Sequence, residues 1–195
     1  MIYLIIILFI SFTLQAQDLK VPEHLKKPPT AENTILIDDN KEITPKSIIL
    51  IIADGAGIGQ YTISYYANEK FSPSQFQHVG LVATHPNDGL KKVTDSASSG
   101  TAMATGQKTY NGAVSVDNNR EPIETIIEIA NKMGMSTGVV ATSTVTHATP
   151  ASFVAHIDHR GKQAEIARQM AKADVDIIFG GGAKYWGDDV LGILR

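Results

Sequence analysis

The chain has 195 residues, 43% of them hydrophobic, which is enough for one folded domain or part of a larger one and argues against disorder. Its formal net charge is −3, and no long run of Lys or Arg marks a nucleic-acid or acidic-membrane partner. It contains no cysteine, which excludes a thiolate metal site and a cysteine nucleophile. We therefore expect a small-molecule partner.

The N-terminal part of the chain divides into two segments by composition. Residues 1–16 are an apolar block that stops at Ala16, as in a signal peptide, and the block is too short to cross a bilayer comfortably. A buried first strand or helix is the alternative reading, but the polar segment that follows offers it nothing to pack against. Residues 17–46 are charged and proline-containing and predict an arm before a domain at 47–195. We expect an exported protein, periplasmic or secreted, without a stable membrane anchor.

From residue 47 onward, apolar runs alternate with helical patterns, which predicts an α/β fold with a mostly parallel sheet flanked by helices. The predicted strands are Ser47–Ala53, Val79–Thr84, Thr137–Ser143 and Val175–Phe179. The first of them is a continuous apolar run and is expected to be buried on both faces. Helices are predicted at Ile58–Glu69, within 93–106, at Pro122–Met133, from Pro150 and at Lys162–Ala173, and a hairpin or loop at Tyr110–Arg120. Because the chain ends where another element begins, we expect the sheet to be incomplete at the C-terminus.

The stretch 93–106 consists almost entirely of small residues and turns from a loop into a helix. Small side chains permit a close approach to the backbone, and we expect the approaching ligand to be an anion. If the helix begins near Ala97 or Ser98, its N–H groups and its dipole point at Ser96 and favour phosphate there. The alternative is that Asp95 or Ser96 is only the N-cap of the helix, and the motif alone favours this alternative.

Polar side chains also follow two other predicted strands. Asp54 ends the first strand, where open α/β sheets bind ligands, although a simple helix N-cap is an equal reading. His147 and Thr149 follow the third strand, and Arg160 lies a short helix further on. Oxygen ligands suit Mg²⁺, a carboxylate beside a serine suits Zn²⁺, and arginine can donate two hydrogen bonds to a phosphoryl group. With the 93–106 stretch, these residues are the parts of a site for phosphoryl transfer.

Three motifs, in this order, resemble those of the alkaline phosphatase family. They read Asp54-Gly55, then Val93-Thr94-Asp95-Ser96-Ala97-Ser98-Ser99-Gly100-Thr101, then His147-Ala148-Thr149-Pro150-Ala151 with Arg160 at the family's spacing. The similarity runs from about Ser47 to Gly182. It implies an alkaline-phosphatase-like fold and metal-dependent hydrolysis of small-molecule phosphomonoesters through a phosphoserine intermediate. It also implies a homodimer.

The resemblance assigns a role to each motif residue. Ser96 would be the nucleophile that becomes phosphorylated, and Arg160 would bind the phosphate while Asp95 orients Arg160. We also count Asp95 and Ser96 among the substrate-binding residues.

The cofactors implied by the resemblance are two Zn²⁺ and one Mg²⁺. Asp54 would bridge a Zn²⁺ and the Mg²⁺, Ser96 would contact zinc, and Thr149 would ligate Mg²⁺. His147 stands where many bacterial members carry Asp, so this metal site is expected to be held through water or to take a different metal. The family's remaining zinc ligands fall in a later part of its sequence that this chain does not contain. His156, another candidate ligand, is expected to be structural.

Two further readings compete with a phosphatase. One is a sulfatase or phosphodiesterase of the same superfamily, but the sulfatase type requires a Cys or Ser followed closely by Pro and Arg, and neither Pro nor Arg closely follows Ser96. The stronger competitor is an inactive fragment or phosphate-binding module, because the downstream zinc ligands are absent. Because these ligands are missing, we expect residues 17–195 alone to show no metal-dependent turnover, and activity to return only when downstream sequence supplies them.

Overall fold

The computed structural model describes residues 46–193 except Glu69 and Gln77. The signal-peptide prediction, and all of the predicted arm before Lys46, therefore lie outside the described residues. The described residues divide into two units, with the boundary between Val79 and Gly80. No helix within the described residues is long and apolar enough to cross a bilayer.

The first unit contains helix α1 (Ile58–Ala67) and a 3₁₀ turn at Ser72–Gln75. Tyr61 and Tyr65 each pack edge-to-face on Phe71, with ring centroids 5.9 and 5.7 Å apart.

The predicted strand Ser47–Ala53 does not form in this unit. Ile49 is 85% and Ile51 81% exposed, so the expectation of a strand buried on both faces is wrong for the described structure. A strand of this kind is buried only when neighbouring strands and helices cover it. The backbone of residues 47–53 pairs with no strand in the described part of the chain.

The second unit carries a parallel pair of strands among helices, which confirms the α/β class, although the sheet has only two strands within the described residues. Gly138 pairs with Ile177 and Val140 with Phe179. The elements in chain order are α2 (Ser96–Thr105), α3 (Ile126–Lys132), β1 (Gly138–Thr144), α4 (Ala148–Ala151), α5 (Gln163–Met170), β2 (Ile177–Gly181), a 3₁₀ turn (Ala183–Tyr185) and α6 (Asp188–Leu191). The predicted strand at 79–84 is absent, and Leu81 is fully exposed.

Helix α3 begins four residues later than Pro122, where it was predicted to begin. Thr125 caps the helix because its side chain accepts a hydrogen bond from the Glu128 N–H, while Glu128 accepts one from the Thr125 N–H. Ile123 is held outside the helix, since its N–H donates to the Ser115 carbonyl (2.9 Å). Ile126, the first residue of the helix, is 44% exposed.

Helices α2 and α4 pack closely because their facing residues are small. A Cβ atom on Gly100 would lie 2.9 Å from Ser152 Oγ and 3.5 Å from Thr149 Cα. Ala97, Ala104, Ala148 and Ala151 are all fully buried. The close approach predicted from the small residues of 93–106 is therefore made by helix α4 along this face of α2.

Candidate active site

Asp95 and Ser96 form the N-terminus of α2. Asp95 is the N-cap, with Oδ1 accepting a hydrogen bond from the Ser98 N–H (2.9 Å) and lying 3.2 Å from the Ser98 hydroxyl oxygen. Ser96 is the half-buried first residue of this ten-residue helix. The capping prediction is therefore confirmed for Asp95. The anion site at Ser96 stays a prediction that the cap does not exclude, because the cap residue precedes the serine at the positive end of the helix dipole.

The Asp95 carboxylate also contacts two groups from elsewhere in the unit. Oδ1 accepts from the Gly112 N–H (3.2 Å), and Oδ2 accepts from Arg160 (3.2 Å). Burial raises the pKa of Asp95, but the hydrogen bonds from Ser98, Gly112 and Arg160 more than offset it and hold the pKa below its ordinary value. The carboxylate is therefore charged at neutral pH and keeps its ion pair with Arg160.

Arg160 connects the α2 N-terminus to the loop after β1. One guanidinium nitrogen donates to Asp95, the other lies 3.0 Å from His147 Nε2, and the backbone N–H donates to the Gly112 carbonyl (2.7 Å). Arginine has donors only, so His147 Nε2 is the acceptor in this pair. A metal bound at that nitrogen would need the same lone pair and would compete with Arg160.

His147 and Thr149 are placed by the end of β1. The His147 N–H donates to the Thr144 carbonyl (2.9 Å), and its own carbonyl accepts from the Ala151 N–H (3.0 Å), which makes His147 the N-cap residue of α4. Thr149 lies within α4, half-buried, with its backbone against Gly100 of α2. This strand-end placement was predicted from the sequence.

The predicted site residues divide between the two units. In the second unit, Arg160 contacts both Asp95 and His147. Asp95 directly precedes Ser96 in the chain. Asp54 belongs to the first unit, where it occupies an exposed turn closed by a hydrogen bond from the Ala56 N–H to the Ala53 carbonyl (3.1 Å).

The described residues do not by themselves fit a zinc ion. Among them, no group of three or more His, Cys, Asp and Glu residues could hold a metal, whereas a catalytic zinc ordinarily has three protein ligands. His156 Nε2 instead contacts Glu128 Oε1 (3.0 Å), and its Nδ1 contacts the Ser115 carbonyl (2.8 Å). Asp158 pairs with Lys162 (2.6 Å).

One residue next to the site was missed by the sequence analysis. Asn111 lies in the stretch predicted only as a hairpin or loop, yet its side chain bonds to three residues around Ser96. An Asn-Gly pair is an ordinary turn signal, so nothing local in the sequence pointed to this contact. It depends on the chain folding back onto a segment 16 residues away.

Comparison with known proteins agrees with the three motifs. The sequence profile of the alkaline phosphatase family matches residues 45–189. The chain belongs to the alkaline phosphatase family. Alkaline phosphatase 4 of Bacillus subtilis is 37% identical over 163 residues, which are 76% of this chain and 35% of that protein. Alkaline phosphatase of Escherichia coli is 33% identical over 184 residues, covering 80% of this chain and 39% of that protein.

Solved structures of the family are also similar in fold. The alkaline phosphatase of the Antarctic bacterium TAB5 superposes with a TM-score of 0.68 at 44% identity, over 72% of this chain and 42% of that one. A histidine-to-aspartate mutant of the same enzyme was solved with Mg bound. The chain spans about a third of the length of the curated relatives that it matches.

Proposed function

We propose that this chain carries the nucleophile and the phosphate-binding arginine of a metal-dependent phosphomonoesterase that works through a phosphoserine at Ser96. The observation that carries the proposal is the grouping of Ser96, at the N-terminus of α2, with Arg160, which is held by the Asp95 carboxylate at 3.2 Å. A helix N-terminus and a guanidinium together match the equatorial oxygens of a transferring phosphoryl group.

The reaction follows from these groups in two displacements. In the first, Ser96 gives up its hydroxyl proton to water, the bond from Oγ to phosphorus forms while the bond from phosphorus to the ester oxygen breaks, and that oxygen takes up a proton from water and leaves as an alcohol. In the second, water attacks phosphorus, the phosphoserine bond breaks, and Ser96 regains its hydroxyl. Arg160 and the N–H groups at the start of α2 hold the phosphoryl oxygens in both steps.

Asp95 acts through Arg160 in this scheme. Its carboxylate fixes one side of the guanidinium, so that Arg160 enters each step already oriented and loses less conformational freedom on binding phosphate. Its hydrogen bond from Gly112 fixes the carboxylate in turn.

We include metal ions in the proposal because the chain belongs to the alkaline phosphatase family. Two Zn²⁺ and one Mg²⁺, when bound, would supply positive charge that favours a serine alkoxide and the departing oxygen. Asp54, Ser96, Thr149 and His147 are the residues of this chain that we assign to them, and the rest of the ligand set is proposed to come from sequence that corresponds to the remainder of the relatives.

The nucleophile is tested in a chimera in which residues 45–189 replace the matching segment of the TAB5 enzyme. We expect metal-dependent hydrolysis of an aryl phosphate and an acid-stable phosphate label on Ser96. Ser96→Ala should remove the label and lower the rate more than about 10³-fold, since a mechanism is lost. Ser143→Ala, at an exposed serine, is the matched control. A label on another residue, or a folded, metal-loaded chimera without turnover, would contradict the proposal.

The phosphate-binding role of Arg160 is tested in the same chimera by measuring inhibition by inorganic phosphate, the reaction product. Arg160→Ala should weaken binding by up to about 10² to 10³-fold, the range of a lost charged contact, and lower the rate less than loss of Ser96 does. Arg168→Ala is the control, because Arg168 pairs with Glu165 and Asp189 on the surface. Equal effects of the two arginine variants would refute the assignment.

The unaltered 195-residue chain separates the phosphatase from the phosphate-binding reading. Phosphate binding that depends on Arg160, without turnover, is expected if the remaining metal ligands are needed. Hydrolysis of an aryl phosphate that a chelator abolishes and Zn²⁺ restores would show that this chain completes the metal site itself.

Export is a separate proposal, based on the apolar block at residues 1–16. Mass spectrometry of exported protein should find Gln17 as the new N-terminus. An intact Met1 on the exported protein would contradict it.

A further inference from the structure

Asn111 contacts the loop of Ser96 on both sides of the serine. Its Oδ1 accepts hydrogen bonds from the Asp95 N–H (3.0 Å) and the Ser98 hydroxyl (2.8 Å), and its Nδ2 donates to the Val93 carbonyl (2.9 Å). The amide cannot be turned over, because its NH₂ would then face the Asp95 N–H and its oxygen would face a carbonyl. One side chain thus holds residues 93, 95 and 98 in a single arrangement.

The neighbours of Asn111 attach the same turn to the phosphate-binding arginine. The Gly112 N–H donates to Asp95 Oδ1 (3.2 Å), while the Gly112 carbonyl accepts from the Arg160 N–H (2.7 Å). The Tyr110 hydroxyl donates a hydrogen bond to the Asp158 backbone carbonyl (2.8 Å). Residues 110–112 therefore lie between the nucleophile loop and the segment of Arg160 and are hydrogen-bonded to both.

Gly112 shows how little room this turn has. Its φ is +94°, a region that favours glycine, and a Cβ atom there would lie 3.0 Å from the His159 ring. The backbone of the turn thus passes directly against the Arg160 segment.

We propose that Asn111 is a positioning residue, which sets the place of Ser96 Oγ relative to Arg160. Serine has a short side chain with one rotatable bond to its oxygen, so the position of Oγ follows the backbone of residues 95–98. A misplacement of about 1 Å between reacting groups can lower a rate by about 10²-fold. This inference rests on the proposed function, in which Ser96 and Arg160 act on the same phosphoryl group.

The alternative is that Asn111 only stabilises the fold. Hydrogen exchange in the 195-residue protein distinguishes the two without any turnover. Asn111→Ala should speed exchange of the Asp95 and Ser98 amides by more than about tenfold and leave the amide of buried Ile166, which donates to the Lys162 carbonyl (3.0 Å), unchanged. Asn118→Ala is the matched control, because Asn118 donates one side-chain hydrogen bond to the Asn87 carbonyl (3.0 Å).

The kinetic test uses the TAB5 chimera, with an aryl phosphate as substrate. Asn111→Ala should lower kcat by about 10- to 100-fold and change KM by less than about threefold, because phosphate contacts remain while alignment is lost. Asn111→Asp replaces the donor to the Val93 carbonyl with a carboxylate oxygen that the carbonyl repels, so its kcat should fall at least as far as that of Asn111→Ala.

Three outcomes overturn the inference. They are an unchanged exchange rate at Asp95 and Ser98, an unchanged kcat, and a loss of kcat that accompanies equally faster exchange at Ile166. Failure of the proposed function would be seen separately, as activity that survives Ser96→Ala. The two ideas can therefore fail independently.

Discussion

The segments 47–53 and 138–144 each contain four β-branched residues, yet they differ in the structure. Residues 138–144 form β1, because residues 177–181 lie alongside them as a parallel partner. Residues 47–53 form no strand, and every described residue of the unit 46–79 is at least partly exposed. A parallel strand is made by its neighbours as much as by its own sequence, since each backbone hydrogen bond requires a partner.

The first and largest expected difference between the two units is in hydrogen exchange. The Val114 amide, in a buried antiparallel bridge to Ile157 (3.0 Å), should exchange only through large-scale opening. Within the described structure, the N–H groups of residues 48–52 have no hydrogen-bond partner. We expect Val114 to be protected at least about 10³-fold more than these amides. Equal protection would mean that the 47–53 segment is paired in solution.

The second difference is in sensitivity to loss of apolar side chains. Ile166 is fully buried, so Ile166→Ala should lower the free energy of unfolding by about 2–5 kcal/mol. Ile51 is 81% exposed, and Ile51→Ala should change it by less than about 0.5 kcal/mol. Both changes in the free energy of unfolding are measured by urea unfolding followed by tryptophan fluorescence. The signal comes from Trp186, the one tryptophan, which packs against Ala167 and Val190. A comparable loss at Ile51 would contradict its exposure.

The third difference concerns two helical glycines, whose replacement by alanine should change the free energy of unfolding in opposite directions. Gly100→Ala places a methyl group 2.9 Å from Ser152 Oγ, which forces α2 and α4 apart and should cost about 1–3 kcal/mol. Gly59→Ala in α1 has nothing within 4 Å and should be neutral or stabilise the helix by up to about 1 kcal/mol. Urea unfolding and circular dichroism measure the two effects, and a neutral Gly100→Ala would show that the α2–α4 packing is loose.

The smallest effect is the pH dependence due to Asp95. Its pKa is lower in the folded protein than the ordinary value of 3.8, so its contribution to stability is complete above that value and is lost as the pH falls through the lower folded pKa. The stability difference between the parent and Asp95→Asn should therefore be constant near pH 7 and shrink below about pH 4. Asparagine keeps the N-cap, which isolates the charge.

A control variant sharpens the pH experiment. Asp174→Asn removes an exposed carboxylate at a distance along the chain from the site. A pH-dependent difference of the same size in Asp174→Asn would show that net charge, and not the Asp95 contacts, causes the effect.

Local sequence patterns were enough to predict several secondary-structure elements and the family of this protein. The start of α2 at Ser96, the extent of β1 and the loop that follows β1 were all predicted within two residues, because capping residues, glycine and apolar runs act over a few positions. The three motifs also indicated the family, which the comparison confirmed.

Tertiary structure alone decided the rest. The exposure of residues 47–53 and 80–84, and the four-residue delay of α3, depend on which partners a segment meets. The pairing of Arg160 with both Asp95 and His147, and the hold of Asn111 on the Ser96 loop, join positions 13 to 65 residues apart. No local pattern encodes such contacts, because they form only when the packing of α2, α4 and the 110–112 turn brings those side chains within hydrogen-bond distance.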